Sequence, residues 1–258
     1  MNINTNVNEI FFNNSYKSKL WIISLLNTIV SFDQQSKAKR LYKLLKKNLL
    51  TLRNNNKTNN NFLDYGFGRG SLLLKIPSKH VNIYGCELSL EAIKNMMRLD
   101  RIIKRGINIF YINKSEEIFS KIKFDFITCS HVLEHCENDT ELLRQFYDLS
   151  IVGGKLLLNV PINEVWQDPK HIRKYSQESL VHILRKIGFH IEECFEADRW
   201  TAFILFNEKR TQSHIIKIAL RLLRFIFALI PISILDFTEN VLPSHYQYQQ
   251  LIIVANKS

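Results

Sequence analysis

Three glycines at alternate positions, Gly66, Gly68 and Gly70, follow a short apolar run ending at Asp64 in the stretch FLDYGFGRGSLL, residues 62–73 of a 258-residue chain. Glycine tolerates positive φ and has no Cβ, so such a run permits a tight strand-to-helix turn and lets the backbone approach a ligand closely. A dinucleotide fingerprint wants its third glycine at position 71, which is Ser71 here. Asp64 beside the turn repels a pyrophosphate and favours a ligand with positive charge, an ammonium or a sulfonium. Glu87 stands 21 positions beyond Gly66, after the second apolar run VNIYGC. At the carboxyl end of a neighbouring parallel strand, a carboxylate accepts hydrogen bonds from both ribose hydroxyls. Together these residues predict a site for an adenosine-type ligand.

Groups able to move a proton come next. His131 and His135 follow a fourth apolar run, and His171 lies in a loop after the fifth. Histidine titrates near neutrality and suits deprotonation of an acceptor hydroxyl; His171 and His131 are the candidates of first rank. His131, Glu134 and His135 also have metal-ligand chemistry, but a Glu-His pair positioning its loop by hydrogen bonds is the reading adopted, without a metal. Cys129 and Cys136 have no base at a suitable spacing and read as buried thiols.

The elements that position these groups follow from patterning. Short apolar runs at 62–65, 81–86, 107–112, 124–129, 154–160, 190–195 and 251–255 alternate with helical patterns at 70–76, 89–104, 138–149 and 176–187. That alternation is the mark of a parallel sheet covered by helices. Upstream, residues 20–32 and 36–52 predict two amphipathic helices, and RNNNKTNNN at 53–61 reads as a solvated linker. The chain therefore divides into a basic helical N-terminal extension, 1–61, and a main domain, 62–258, with a helical insertion at 206–248.

Charge is uneven. The net formal charge is +11, yet residues 1–61 alone hold ten basic and two acidic side chains. Concentration in an Asn-rich leader argues against nucleic acid as the partner of the main domain, as does the lack of an aromatic-studded basic groove. Four dispersed cysteines form no Cys-x-x-Cys pair and fit a reducing cytoplasm. Within the insertion, 213–235 places Lys217, Arg221 and Arg224 on one helical face amid apolar residues. Its longest uncharged run is too short to span a bilayer and contains Pro231. It reads as a helix capping the main domain or as an interfacial helix making peripheral contact with anionic lipid.

On these motifs the sequence resembles the class I S-adenosylmethionine-dependent methyltransferases, from about Phe62 to Phe189 with 251–255 as closing strand. It is most similar to the broad group that includes ubiquinone-biosynthesis and sugar or natural-product enzymes. The resemblance implies a Rossmann-like seven-stranded sheet, mostly parallel with an antiparallel last strand, and S-adenosyl-L-methionine as cofactor. It implies that Asp64, Gly66, Gly68 and Gly70 hold the methionine part, that Glu87 binds the ribose, and that Ser130 and His131 lie beside the cofactor. Relatives often place an acid after the third strand to meet the adenine amine, where this chain has NKSEE with Lys114 near that position. Glu116, or backbone around Ser115, takes that contact. Phe67, where relatives often have Cys or Ser, must point away from the ligand. The implied activity is methyl transfer to a small-molecule or carrier-linked glycan or lipid acceptor, at oxygen. The alternatives are an RNA methyltransferase and a non-catalytic membrane-surface relative.

Overall fold

The structure, a computed structural model, describes residues 10, 13, 14, 16, 31–52, 59–114, 119, 121–164, 168, 170–201, 211–242 and 247–258. Seven strands form one sheet: β1 (Asn60–Tyr65), β2 (Val81–Glu87), β3 (Asn108–Tyr111), β4 (Phe124–Ser130), β5 (Ser150–Pro161), β6 (Phe189–Ala197) and β7 (Gln250–Lys257). Their order is β3-β2-β1-β4-β5-β7-β6. β1 to β5 pair in parallel, and β7 runs antiparallel between β5 and β6. The expected Rossmann-like sheet with an antiparallel last strand is therefore present. Chain order reverses between β1 and β4, and at such a switch point the loops after the two strands diverge to leave a crevice.

Six helices accompany the sheet among the described residues: α1 (Phe32–Leu52), α2 (Leu90–Ile103), α3 (Asp139–Leu149), α4 (Gln177–Ile187), α5 (His214–Leu229) and α6 (Ile232–Val241). Alternate strand residues feed two cores, as a two-residue side-chain period requires. Leu63, Leu156, Leu158 and Ile253 pack with Leu142 and Phe146 of α3 and Leu184 of α4. Phe62, Phe126, Leu157 and Val254 pack on the opposite face with Leu41 and Leu45 of α1 and Met96 of α2. The leucine stripe of the second leader helix thus lies directly on the sheet.

Local chemistry fixes the helix ends. Ser89 caps α2 by accepting a hydrogen bond from the Ala92 amide (3.2 Å). Asn138 does the same for α3, and Ser176 and Ser179 form a reciprocal capping box on α4. The helix expected at 70–76 is absent: residues 71–75 form successive turns. Gly70 enters at φ +73 and Pro77 follows at once, so the segment holds only two α-turns, from the Leu74 amide to the Gly70 carbonyl and from the Ile76 amide to the Leu72 carbonyl. The insertion helix breaks at Pro231 into α5 and α6, which diverge by 113°. The leader helix expected at 20–32 lies outside the described residues apart from its last two positions. Among the described residues no single helix is long and apolar enough to cross a membrane.

Candidate active site

All the candidate groups that fall within the described residues, except His171, sit at the carboxyl ends of β1, β2 and β4. The glycine turn is fastened to the neighbouring strand: the Gly66 amide donates to the Cys86 carbonyl (2.9 Å), and the Gly68 amide to Glu87 Oε2 (2.7 Å). Glu87 Oε1 accepts from the amides of Leu88 (2.7 Å) and Ser89 (3.0 Å). Burial lifts the Glu87 carboxyl above its ordinary value, against the pull of these three N–H groups. Three of roughly four carboxylate acceptor positions are therefore filled by backbone, which leaves one on Oε2 for a ligand hydroxyl.

Asp64 is buried and accepts from Thr128 Oγ1 (2.8 Å). Burial pushes its carboxyl up to about 7, with the charge of Glu87 adding to the shift and the threonine hydrogen bond opposing it. Gly66, Gly68 and Gly70 all have positive φ. Protein, rather than an open ligand space, fills the room beside them. A Cβ on Gly66 would come within 2.3 Å of Val132 Cγ2, and one on Gly68 within 3.0 Å of the Tyr16 hydroxyl. Phe67 turns into the core, where Gly85 leaves room for its ring.

A cavity of about 100 Å³ opens here, lined by Tyr65, Gly66, Glu87 and Leu88 from β1 and β2, Ile112 after β3, and His131, Val132, His135 and Cys136 after β4. Tyr16, from the leader, closes it, with the Arg69 guanidinium 5.5 Å from its ring centroid. Leu88, Ile112 and Val132 offer apolar faces suited to a purine, and no Lys or Arg is among the described lining residues. Acids and apolar walls without a cation fit an adenosyl group joined to a positively charged sulfur and reject a polyphosphate. Ser115 and Glu116 lie outside the described residues.

His131 stands at φ 55, its amide donating to the Asn159 carbonyl (2.8 Å). Both ring nitrogens are engaged, Nε2 with Gln250 Oε1 (2.7 Å) and Nδ1 with Glu134 Oε1 (3.2 Å). Ser130 faces Asn159 across the strand pair, its Oγ accepting from Asn159 Nδ2 (3.4 Å). His171 does not line the cavity. It stands behind His135, ring centroids 4.8 Å apart, with its Nδ1 2.5 Å from Glu164 Oε1. The loop carrying it is stitched to the β4 loop: the Ile172 amide donates to the Glu134 carbonyl, and Tyr175 Oη donates to Asp139 Oδ2 and the Leu133 carbonyl.

Glu134 is fully buried, and neither oxygen has a hydrogen-bond partner of good geometry beyond the His131 contact. Burial alone would raise its carboxyl, but the adjacent imidazoles of His131 and His135 outweigh it and hold it below the ordinary range. Burial lowers His135 and pushes the Cys136 thiol up to about 12, so Cys136 is an inert wall. Glu134, His135 and His171 bring one donor atom each within 4.8 Å of one another, a set able to hold a divalent cation. Sequence spacing had grouped His131 with Glu134 and His135; the fold brings in His171 instead.

Several lining residues carry no signal of their own in the sequence. Leu88 and Ile112 follow from the topology, as the first residues past β2 and β3. Tyr16 does not: it is one aromatic in a polar leader about fifty residues upstream.

A family of proteins described as a methyltransferase domain matches residues 37–193. No curated protein matches the sequence. Among solved structures, the chain superimposes on magnesium protoporphyrin IX methyltransferase of Synechocystis with bound S-adenosylhomocysteine, at TM-score 0.56 and 14% identity, covering 98% of this chain and 99% of that one. A putative sarcosine dimethylglycine methyltransferase of Galdieria sulphuraria gives TM-score 0.55 and 13% identity, covering 85% of each chain. The [4+2]-cyclase SpnF gives 0.56 and 17%, covering 85% of this chain and 80% of that one. Likeness at these identities is likeness of fold.

Proposed function

The chain belongs to the class I S-adenosylmethionine-dependent methyltransferases, the family matched over residues 37–193, and on that premise we propose that it methylates an oxygen of a small-molecule or carrier-linked acceptor in the crevice over β1, β2 and β4. The observation that carries the reading is the cavity at the switch point, with Glu87 and Gly66 in its wall, Asp64 buried behind the turn, and no cation among its described lining residues. In this reading residues 62–258 form the catalytic unit, and 1–61 with the insertion at 206–248 supply its outer walls.

When bound, S-adenosylmethionine supplies a methyl group on a sulfonium, open to in-line displacement. The remaining Oε2 acceptor position of Glu87 takes a ribose hydroxyl, and Leu88, Ile112 and Val132 enclose the base. Asp64, Gly66, Gly68 and Gly70 shape the methionine end, and the ionised Asp64 offsets its positive charge. Ser130 and His131 border the cofactor, His131 acting as a positioning residue because both of its ring nitrogens are occupied. His171, outside the cavity and behind His135, is the base for an acceptor hydroxyl that reaches past His135. Glu164 Oε1 stands 2.5 Å from the Nδ1 of His171, which leaves Nε2 to take the acceptor proton.

Calorimetry tests the cofactor site: S-adenosylmethionine and S-adenosylhomocysteine should bind, and ATP and NADP should not. A chain that binds the phosphate compounds and neither adenosyl ligand refutes the reading. Incubation of the protein with label-bearing cofactor and a host-cell extract identifies the acceptor as the metabolite that gains the label. A label released as methanol by mild alkali assigns a methyl ester; a label that survives is located by NMR of the purified product, where a methyl on oxygen supports the reading and one on nitrogen, carbon or sulfur refutes the choice of atom.

A further inference from the structure

Helix α5 presents an apolar stripe to solvent. Ile215, Ile218, Leu222, Ile226 and Leu229 recur at helical spacing and are 80%, 58%, 61%, 54% and 63% exposed. On α6, Phe237 is also 65% exposed. A contiguous apolar face of this kind is uncommon on a soluble monomer and marks a surface that is covered in use. The expectation of a helix capping the main domain accounts only for the other side of the unit, where Phe32, Ala228, Ile232 and Leu235 form a small core.

The unit is firmly attached. Lys39 Nζ donates to the carbonyls of Ala228 (2.6 Å) and Ile230 (2.9 Å) at the C-terminal end of α5. Arg40 bridges buried Asp198 and Asp236 of α6. Buried Glu239 of α6 accepts hydrogen bonds from the amides of Arg199, Trp200 and Thr201. The outward stripe is therefore set by the fold and does not belong to a loosely tethered loop.

Charge indicates what covers it. Residues 213–235 contain Lys217, Arg221 and Arg224 and no acidic residue, in a chain of net charge +11. Lys217, Arg221 and Arg224 share the helix face opposite the stripe, the division of an interfacial helix that buries its apolar side among acyl chains and turns its cations toward an anionic headgroup layer. A second copy would bring two like-charged helices together. The pair α5–α6 bends by 113° and neither helix alone is long enough to cross, so it suits lying in the plane of the interface. Asp33, at the start of α1, feels the charge of both Arg224 and His131, and Phe32 beside it packs edge to face on Phe227 of α5, ring centroids 6.0 Å apart.

We propose that α5 docks the protein onto an anionic lipid bilayer through the face of Ile215, Ile218, Leu222, Ile226 and Leu229, with the cavity held close to the membrane surface. Where it concerns the acceptor, the inference rests on the methyltransferase reading: the acceptor is then an amphipathic molecule taken from the bilayer. The docking itself does not depend on that reading.

The test is flotation of the full-length protein with vesicles of phosphatidylcholine alone and with vesicles also containing phosphatidylglycerol. Wild type should float with the anionic vesicles and bind neutral ones at least about tenfold more weakly. L222E with I226E should lose at least about tenfold in binding to anionic vesicles, while calorimetry with S-adenosylhomocysteine stays unchanged, because neither residue lines the cavity. Wild type left unbound by anionic vesicles, or a double variant that floats as well as wild type, overturns the docking. So does a dimer in sedimentation velocity that the double variant dissolves, since the face then belongs to a second copy. Loss of adenosyl-ligand binding with flotation intact overturns the methyltransferase reading alone. Docking with a labelled product that is freely water-soluble overturns the assignment of the acceptor.

Discussion

Replacing Asp64 by asparagine should stabilise the cofactor-free protein at high pH while weakening its hold on the cofactor. Burial raises the Asp64 carboxyl from 3.8 to about 7. Between those values the folded chain keeps a proton that the unfolded chain has released. Stability therefore falls as pH rises through this window, and the penalty is complete above about 7. A shift of about three units corresponds to about 4 kcal/mol at 1.36 kcal/mol per unit. Relaxation around an ionised Asp64 reduces this, so about 2–4 kcal/mol is expected. Asparagine removes the charge and keeps an oxygen to accept from Thr128. The difference in unfolding free energy between D64N and wild type should be small at pH 4–5 and reach that range, in favour of D64N, at pH 8. Urea unfolding of both proteins at several pH values measures it, and the subtraction cancels the other titrating groups. Binding of a cation favours the ionised carboxylate, so wild-type affinity for S-adenosylmethionine should rise from pH 6 to 8, and that of D64N should not. A D64N protein less stable than wild type at pH 8, or a difference that does not vary with pH, would refute the reasoning.

His171→Ala should leave cofactor affinity within about threefold of wild type while lowering label transfer by about a hundredfold or more; E164Q, which removes the charge beside that ring, should cost less. Unchanged turnover in H171A would return the residue to a structural role. Gly66→Ala places a Cβ 2.3 Å from Val132 Cγ2 at φ +75, and should lose about 1–3 kcal/mol of stability. Adding V132A relieves the steric part and leaves the backbone cost, so a double variant no better than G66A would argue against Val132 as the obstacle. Gly68→Val should abolish cofactor binding in a folded protein, because even a Cβ there lies 3.0 Å from the Tyr16 hydroxyl and the added branches push aside the residue that closes the cavity; unchanged affinity by calorimetry would count against the site.

Much of the sheet was legible because strand runs and turn residues carry their signal locally. Gly188 ends α4 as expected at φ 120, and the apolar runs at 62–65, 81–86 and 124–129 lie within β1, β2 and β4. The segment 70–76 has the apolar spacing of a helix, while Gly70 and Pro77 leave room only for turns. Phe67 shows a further limit: its ring depends on Gly85, a residue of the adjacent strand, for a place to lie.

Sequence alone determined the order of strands and helices, the glycine turn behind Asp64 and the acid at the end of the second strand. Those are properties of short segments, set by side-chain periodicity and by the backbone freedom of glycine. Tertiary structure decided which distant residues meet: Tyr16 against the glycine turn, Glu164 on His171, His171 beside His135, and the leader helix on the sheet. It also decided that Glu87 spends most of its accepting capacity on the loop it borders. No local pattern encodes such pairs, because each forms only when the sheet brings separate chain segments to one edge, and burial there then sets the ionisation of Asp64 and Glu134.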